Sequence, residues 1–509
     1  MRSLAWLEAL APHAVRLAQS SIPGLVQADP ELVTATTYRV GPILACFARQ
    51  QLDAPAWSAL QSVARMRGVE AAFTALFKGE TVNRSEGRPA LHAALRSDPE
   101  TASAARAARD QACKARLAMA TLVEQLRATA VTDLIHVGIG GSELGPRLVL
   151  EALREFDDHR FRIHFLSSAD GHASEHLLRS LDPARTAVVL VSKSFGTRET
   201  RANGARLQAW LGTREHLYAV TADADAAIRF GVSCERILPL WDWVGGRYSI
   251  WSSVGFTVAA SLGMAVFERL LAGAALMDTH VRSAPLAENL AVAHGLVAVW
   301  NRSLMGHTGH VIAPYDIRLS GLPAYLQQLL MESLGKSADQ DGRPVAYATG
   351  ALIWGSNGPD AQHSYFQALH QGTDVVPVDF VGVVRPDHDW CQAQDILLAN
   401  LLAQSEALAN GAPSQDPHRS HPGNRPSTVL LLDELSPEAL GALLALYEHS
   451  VYVQATLWGI NPFDQWGVEL GKRLADSLLP ALSDTTTKAT DPVTAAMIDQ
   501  IRQLQKPHS

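Results

Sequence analysis

Short apolar runs that alternate with helix-forming segments constrain the fold of this chain more than any other feature. The first half contains four such runs, VTDLIHV, FRIHFL, TAVVLVS and HLYAVTAD, with loops and helical segments between them. Three more occur later, within GHVIAPYD, VVPVDFVGVV and TVLLLDEL. Apolar strands that alternate with helices are typical of βαβ units, in which helices cover both faces of a parallel sheet.

The alternation predicts an α/β protein with two αβα sandwich domains and mainly parallel sheets. We expect an N-terminal helical segment at 1–105 that packs on the larger domain, since this region is rich in helix formers. The smaller αβα domain is predicted at 106–274, and the larger one, with C-terminal helices, at 275–509. Ser436 and Pro437 predict the start of a long helix, and residues 411–428 an exposed loop.

Length and charge limit the classes of function. The 509 residues are 47% hydrophobic, enough for two to four domains at roughly 100–200 residues each. The net charge is −8, the pI is about 6.2, and no run of Lys or Arg occurs. We therefore expect no nucleic-acid partner, whereas a small anionic substrate needs only local positive charge.

Apolar runs and cysteine spacing predict a cytoplasmic protein with no membrane partner. The N-terminus is typical of an amphipathic helix rather than a signal peptide, and the longest apolar run, ending before Glu268, is too short to span a membrane. The cysteines form no CxxC pair, which leaves zinc and redox motifs unsupported and favours free thiols in a reducing compartment. They are Cys46, Cys113, Cys234 and Cys391.

The loop after the first strand, VGIGGSELGP, suits an anion. Gly141 and Ser142 precede a helix; glycines let backbone N–H groups approach a phosphate, and a helix N-terminus attracts negative charge. A glycine turn that merely closes the strand remains an alternative. A dinucleotide site is a further alternative, which Glu143 disfavours because a carboxylate repels a pyrophosphate.

A second loop, VSKSFGTRET, also follows a buried-type strand and starts a helix. It offers hydroxyl groups and an amine that suit a phosphomonoester, and the residues concerned are Ser192, Lys193, Ser194 and Thr197. The alternative is an ordinary helix start with Thr197 as the N-cap. The chain has no GxxxxGK[ST] motif, which argues against nucleotide triphosphate hydrolysis.

Two segments suggest charged catalytic groups. In WDWVGGRYSIWSSVG, Arg247 follows two glycines and would stabilise a developing oxyanion; a structural Arg stacked on Trp is the alternative. In LPAYLQQLLMESLGK, Gln328 and Glu332 share a helix face, and Gly335 suits the helix stop. A carboxylate facing the helix's negative end should be more basic, as a general base requires, unless it is simply solvated.

Two further segments carry candidate proton-transfer and binding groups. His363, in NGPDAQHSYFQALHQGT, is expected near a helix N-terminus, where the dipole favours neutral imidazole. Gln465 and Lys472, in NPFDQWGVELGKRLA, lie seven residues apart on one predicted helix face. A structural histidine and a surface lysine are the commoner alternatives.

Taken together, these segments resemble the phosphoglucose isomerase family from about residue 130 to Lys472. Six motifs occur in the family's order: VGIGGSELGP, SKSFGTRET, DWVGGRYSIWSSVG, MESLGK, QHSYFQALHQGT and GINPFDQWGVELGK. Leu334 stands where the family usually has Asn, Leu329 follows Gln328 where the family usually has Gly, and the segment before His363 is offset from the common spacing.

The resemblance implies a role for each candidate residue. His363 and Lys472 would open the sugar ring, Glu332 would carry a proton between C1 and C2, and Arg247 would stabilise the cis-enediolate. Gln328 and Gln465 would position the open chain. The phosphate would be bound by Ser142, Ser192, Lys193 (through its backbone), Ser194 and Thr197.

The resemblance also implies two sugar-isomerase-type αβα domains, interconversion of glucose 6-phosphate and fructose 6-phosphate, and no metal or redox cofactor. It implies a homodimer in which His363 reaches into the partner's active site. One alternative is a non-catalytic sugar-phosphate-binding regulator on the same fold, which would not need Glu332, His363 or Arg247. The other is an NAD-type dehydrogenase.

Overall fold

The computed structural model describes residues 4–98, 104–484 and 489–505. Contacts divide the chain into two units, Met1–Pro462 and Phe463–Ser509. In chain order, the strands β1–β11 are Thr37–Val40, Ile43–Cys46, Asp133–Val137, Arg162–Leu166, Thr186–Val191, Leu217–Thr221, Ile237–Pro239, Gly309–Pro314, Leu352–Gly355, Val378–Val383 and Ser427–Leu432.

The α-helices are numbered in the same way. In chain order, α1–α20 are Ala5–Leu17, Ile22–Ala28, Glu31–Ala35, Ala54–Met66, Val69–Lys78, Ala104–Arg127, Leu144–Ala152, Gly171–Arg179, Arg198–Leu211, Ala224–Phe230, Phe256–Leu262, Met264–Ser283, Leu290–Val299, Leu322–Leu326, Gly358–Gln362, Phe366–Gln371, Cys391–Asn410, Pro437–Trp458, Glu469–Ser483 and Pro492–Leu504. The predicted α/β class is confirmed.

The smaller sheet is wholly parallel, in the order β4-β3-β5-β6-β7. Strands β3, β5 and β6 are buried along their whole length, as expected for a sheet with helices on both faces. Because β3 and β5 are neighbours, with Val137 paired to Leu190, the two predicted phosphate loops leave the same edge of the sheet from adjacent strands.

The larger sheet has the order β1-β2-β11-β10-β8-β9. Its strands β8 to β11 are parallel; β8, β10 and β11 were predicted, and β9 was not. A hairpin from the N-terminal segment, β1 and β2, adds an antiparallel edge in which Cys46 pairs with Val429. The expected mostly helical start of the chain therefore also supplies two strands, which turn at Gly41 with a φ of 51°.

Helix α18 is buried along nearly its whole length. The Ser436 hydroxyl accepts a hydrogen bond from the Ala439 N–H at 3.2 Å, and Pro437 begins the helix, as predicted. Helix α12 packs against α18 closely enough that a Cβ on Gly273 would lie 1.9 Å from the Glu438 carbonyl oxygen. Only glycine permits this approach.

A buried ionic network supports the segment that contains Arg247. The Arg96 guanidinium donates to Asp278 at 2.8 and 2.9 Å and to Glu448 at 2.6 Å. The other Glu448 oxygen accepts from the Trp251 indole N–H at 2.7 Å. Buried charges are tolerated only when they are paired in this way, so the network fixes Trp251, four residues after Arg247.

The unit Phe463–Ser509 contains α19 and α20. The Asp491 carboxylate caps α20 by accepting from the Thr494 N–H at 2.8 Å, and Arg502 donates to the Asp484 carbonyl at 2.6 Å. Across both units, none of the helices in the described ranges combines the length and apolar character that a membrane crossing requires.

Candidate active site

The glycine loop after β3 contacts two other candidate segments. It forms a 3₁₀ turn, Gly140–Ser142. A Cβ on Gly141 would lie 2.2 Å from the carbonyl carbon of Gly246, so this backbone passes directly against the turn that carries Arg247. A Cβ on Gly140 would lie 3.1 Å from the Gln328 amide nitrogen. The loop therefore brings three distant segments of the chain together.

A buried histidine under this loop fixes its position. His136 Nε2 lies 2.6 Å from the Ser142 carbonyl oxygen, and Nδ1 lies 2.8 Å from the Thr257 hydroxyl. Since a carbonyl only accepts, Nε2 carries the hydrogen and Nδ1 accepts from Thr257. Burial lowers the pKa of His136 to about 4, so the ring is neutral near pH 7.

Arg247 is buried and tied to two other segments. Its Nε donates to the Ser333 hydroxyl at 2.6 Å, and its Nη2 donates to the Pro462 carbonyl. Its Nη1 lies 3.5 Å from a carboxylate oxygen of Glu332. The aromatic ring near the guanidinium is Tyr248, with 5.4 Å between Cζ and the ring centroid.

Glu332 ends a π-helical turn, Gln327–Glu332, that continues α14. The helix runs to Leu334 and stops at Gly335, as expected. Gln328 donates to the Glu332 carboxylate at 3.1 Å, and the Glu332 side chain is 22% exposed. The sequence predicted the shared face, whereas it left open whether the carboxylate is partly buried or solvated.

A lysine binds the carbonyl groups at the end of this helix. The Lys336 ammonium donates to the carbonyls of Glu332 and Ser333, at 2.8 and 3.1 Å. It thus binds the carbonyl groups that were expected to act on the carboxylate. The Arg247 guanidinium lies beside the Glu332 carboxylate, which is only partly exposed to water.

The loop after β5 presents its hydroxyls at the start of α9. Ser192 Oγ and Thr197 Oγ1 lie 3.1 Å apart, and Ser194 Oγ accepts from the Gly196 N–H at 3.2 Å. Thr197 stands at the N-cap position but its side chain makes no capping bond. Phe195 adopts a φ of 50°, a conformation that non-glycine residues hold only when their surroundings enforce it.

Lys193 links the phosphate loop to the turn that carries Arg247. Its ammonium donates to the carbonyls of Asp242 and Val244, at 3.0 and 3.1 Å. Burial, together with the nearby Arg88 guanidinium, lowers the pKa of Lys193. The amine is therefore directed at the protein backbone, which agrees with a phosphate contact through the Lys193 main chain.

The structure does not bring His363 to Glu332 and Arg247. His363 is the C-cap of α15 and lies three residues before α16, so it is near a helix N-terminus, as expected, and also at a helix C-terminus. Its imidazole is exposed, and within 4–98, 104–484 and 489–505 nothing hydrogen-bonds to it. Gln465 and Lys472 belong to the unit Phe463–Ser509, where Lys472 pairs with Glu469 at 2.8 Å.

No metal centre is evident in the part of the chain that the structure describes, where His, Cys, Asp and Glu side chains form no group of three suited to an ion. The described site contains one carboxylate, one guanidinium, an amide and two loops that present backbone and hydroxyl groups. A base beside a fixed positive charge suits proton abstraction next to a carbonyl, where an oxyanion develops.

Comparison with known proteins places this arrangement in a family. A model of the family described as phosphoglucose isomerase matches residues 46–498. The chain belongs to the phosphoglucose isomerase family. The resemblance of its six motifs is therefore confirmed, although the role of each residue stays a prediction.

Relatives in this family match almost the whole chain. The glucose-6-phosphate isomerase of Xanthomonas axonopodis pv. citri is 55% identical over 97% of this chain and 98% of that relative. The one from Xanthomonas campestris pv. campestris is 54% identical over the same shares. The crystal structure of a glucose-6-phosphate isomerase from Chlamydia trachomatis is 34% identical, with a TM-score of 0.90, over 98% of this chain and 99% of that one.

Several residues of this phosphoglucose isomerase site were missed in the sequence. Gly246, against the glycine loop, was noticed only as a flanking glycine. Ser333 and Tyr248, which contact Arg247 or its partner at hydrogen-bonding distance, were not considered. The Arg88 guanidinium lies 3.7 Å from the Asp242 carboxylate. Arg88 belongs to the N-terminal segment that was predicted to be helical. The run NRSEGRPALH, with its Gly and Pro, was a signal of a loop there.

Proposed function

We propose that this chain is an aldose–ketose isomerase that interconverts glucose 6-phosphate and fructose 6-phosphate in glycolysis and gluconeogenesis. Curated relatives at 55% identity over 97% of the chain carry the name glucose-6-phosphate isomerase. The observation that carries the proposal is the Glu332 carboxylate, 3.5 Å from the Arg247 guanidinium, beside a glycine loop at the carboxyl edge of a parallel sheet. These findings favour the isomerase over a non-catalytic regulator.

The reaction begins with opening of the sugar ring, because a C–H bond becomes acidic only next to a carbonyl. In the proposal, His363 and Lys472 move a proton from the anomeric hydroxyl to the ring oxygen. The C1–O5 bond breaks, and C1 becomes the aldehyde of the open chain. The His363 imidazole is exposed and has no hydrogen-bond partner among the described residues, which supports a role in contact with another molecule.

Glu332 then moves hydrogen between neighbouring carbons. Its carboxylate removes the proton from C2, and the C–H electron pair forms the C1–C2 double bond of a cis-enediolate. Returning the proton to C1 and moving a proton from the C2 to the C1 oxygen gives the ketose. Arg247 stabilises the negative charge that develops on the substrate oxygen. This electrostatic stabilisation is strongest in a site with little water.

The phosphate is held where the two loops leave the sheet. Gly141, Ser142, Ser192, Lys193 (main chain), Ser194 and Thr197 are the proposed binding residues. The N-terminus of α9 adds a favourable field. Gln328 and Gln465 position the open chain. Since both carbons exchange oxidation states within one molecule, the reaction needs no redox cofactor, and one carboxylate with a fixed guanidinium replaces a metal.

We also propose a cytoplasmic homodimer in which His363 completes the partner's active site, without nucleic-acid or membrane partners. Among the described residues, none hydrogen-bonds to the exposed His363 ring, which supports a partner-facing role. We also propose that the domains divide at residues 105 and 274, as predicted from the sequence.

A coupled assay tests the reaction. The purified chain is given fructose 6-phosphate and EDTA, and glucose 6-phosphate is followed through glucose-6-phosphate dehydrogenase and NADPH. We expect sustained turnover that EDTA does not change. Binding of fructose 6-phosphate without turnover would support the regulator instead. Nicotinamide reduction without the coupling enzyme would support a dehydrogenase.

A further inference from the structure

Ser333 directly follows Glu332 and joins it to Arg247. Its side chain is fully buried, at 0% exposure. Its hydroxyl accepts from Arg247 Nε at 2.6 Å and lies 2.9 Å from the Tyr248 hydroxyl. The Tyr248 hydroxyl in turn lies 3.4 Å from the Pro462 carbonyl. Two buried hydroxyls therefore connect the guanidinium to a backbone carbonyl.

The direction of these hydrogen bonds is set by their ends. Arg247 Nε can only donate and the Pro462 carbonyl can only accept. Each hydroxyl has a single hydrogen to donate. Since Tyr248 donates its hydrogen to the Pro462 carbonyl, Ser333 is the donor to Tyr248. Arg247 Nη2 also donates to the Pro462 carbonyl, which closes the bonds into a ring.

This ring fixes the plane of the guanidinium. Nε and Nη2 are both engaged on one edge, and Nη1 is held 3.5 Å from the Glu332 carboxylate. Since Ser333 and Glu332 are adjacent in one helical turn, the turn that carries the proposed base also holds the proposed oxyanion stabiliser. A shift of either group would move both.

We propose that Ser333 is a positioning residue that sets the orientation of Arg247 toward the enediolate. This inference rests on the proposed isomerase function. Ser333 does not touch the reacting atoms: it acts through Arg247, on an interaction that strengthens only as negative charge develops on the substrate oxygen. Loss of its hydroxyl should therefore affect the transition state more than the bound substrate.

The test is Ser333→Ala. We expect kcat to fall by about 10- to 100-fold, with KM for fructose 6-phosphate nearly unchanged. Two inhibitors distinguish a change in the orientation of Arg247 from a general loss of structure. The hydroxamate of 5-phosphoarabinonate carries a planar anion like the enediolate, and glucitol 6-phosphate keeps the phosphate and hydroxyls without that anion. The variant should bind the hydroxamate more weakly by a similar factor and bind glucitol 6-phosphate as the wild type does.

Ser261→Ala is the matched control. Ser261 is also fully buried, and its hydroxyl has no hydrogen-bond partner among the described residues. We expect it to keep wild-type kcat and inhibitor affinities. Tyr248→Phe removes the second hydroxyl of the ring and should change kcat and hydroxamate affinity in the same direction by less. If Ser333→Ala does not fold, the Tyr248→Phe variant provides the test instead.

The result that would overturn the positioning role of Ser333 differs from the result that would overturn the proposed isomerase function. Wild-type kcat and hydroxamate affinity in Ser333→Ala would overturn the positioning role. Equal weakening of both inhibitors would also overturn it, because that result indicates a general structural loss. If the wild type itself fails to isomerise fructose 6-phosphate, the proposed function fails instead.

Discussion

At the scale of single residues, Glu332 is the side chain on which turnover should depend most. Gln at this position keeps the size of the side chain and can still accept from Gln328, but it cannot take up a proton. We expect Glu332→Gln to lower kcat by about 10²- to 10⁴-fold with nearly unchanged sugar-phosphate binding, measured by the coupled assay and by calorimetry.

The control for that change is Glu175→Gln on helix α8. Glu175 is 60% exposed and pairs with Arg179 on the surface, so the same loss of charge should leave turnover at the wild-type level. Near-normal turnover in Glu332→Gln would place the base on another residue.

Thr197 tests the phosphate site. Its hydroxyl faces Ser192 at 3.1 Å and makes no helix-capping bond, so it is available to an anion at the start of α9. We expect Thr197→Val to raise KM for fructose 6-phosphate about tenfold or more, since a hydrogen bond to a charged group contributes roughly 1.5–3 kcal/mol. Steady-state kinetics measures this.

Thr121→Val, on the exposed face of α6, makes the same chemical change away from the loop and should leave KM unaltered. An unchanged KM in Thr197→Val would move the phosphate to a different loop.

Contacts between residues that are close in the chain were easier to predict from the sequence than contacts between distant residues. The pairing of Gln328 with Glu332 follows from helix spacing. The contact of Ser333 with Arg247 joins positions that no local pattern connects. The position of Lys336 on the helix carbonyls was not predicted either.

At the scale of elements, the contact between the glycine loop and the 3₁₀ turn Gly246–Tyr248 should be intolerant of bulk. A methyl group on Gly141 would lie 2.2 Å from the Gly246 carbonyl carbon and 2.3 Å from its oxygen. Both are backbone atoms, so the turn that carries Arg247 must move. We expect Gly141→Ala to lower kcat/KM by about 10²-fold, since displacements near 1 Å have such effects.

Gly171→Ala serves as its control, because a Cβ there would meet nothing within 4 Å. It should retain wild-type kcat/KM, with both variants folded by circular dichroism. Full activity in Gly141→Ala would show that the two loops can separate without harm.

Long, buried strands were predictable, and so was the edge strand β4, whereas shorter edge elements were not. Strands β3, β5, β8, β10 and β11 are apolar runs that follow directly from burial in a parallel sheet. The hairpin β1–β2 and the short edge strands β7 and β9 contain few residues each, and their pairing comes from distant strands. The π-helical turn before Ser333 has no signature in residue periodicity.

At the scale of the whole molecule, stability should decrease as the pH falls below neutrality. His136 has a pKa of about 4 when buried, against an ordinary value of 6.5. Between these values the unfolded chain binds a proton that the folded chain does not, so falling pH favours unfolding. For His136 alone this difference amounts to about 2 kcal/mol between pH 7 and pH 5.

The measurement compares Tm at pH 7 and pH 5. Burial lowers the pKa of His92 and His307 as well, so the wild type should lose Tm through several groups. His136→Gln should lose less Tm between the two pH values, whereas His159→Gln, at a side chain 87% exposed, should behave as the wild type. An equal loss in all three proteins would contradict the role of His136.

The pairing of the N-terminal hairpin with β11 has a consequence for biosynthesis. Residues 37–46 leave the ribosome long before residues 427–432 are translated, so the hairpin waits through most of translation with one edge uncovered. A lone hairpin is marginally stable and an open edge invites wrong partners. The larger sheet is therefore completed only after residues 427–432 have emerged, and until then residues 37–46 need protection from wrong partners.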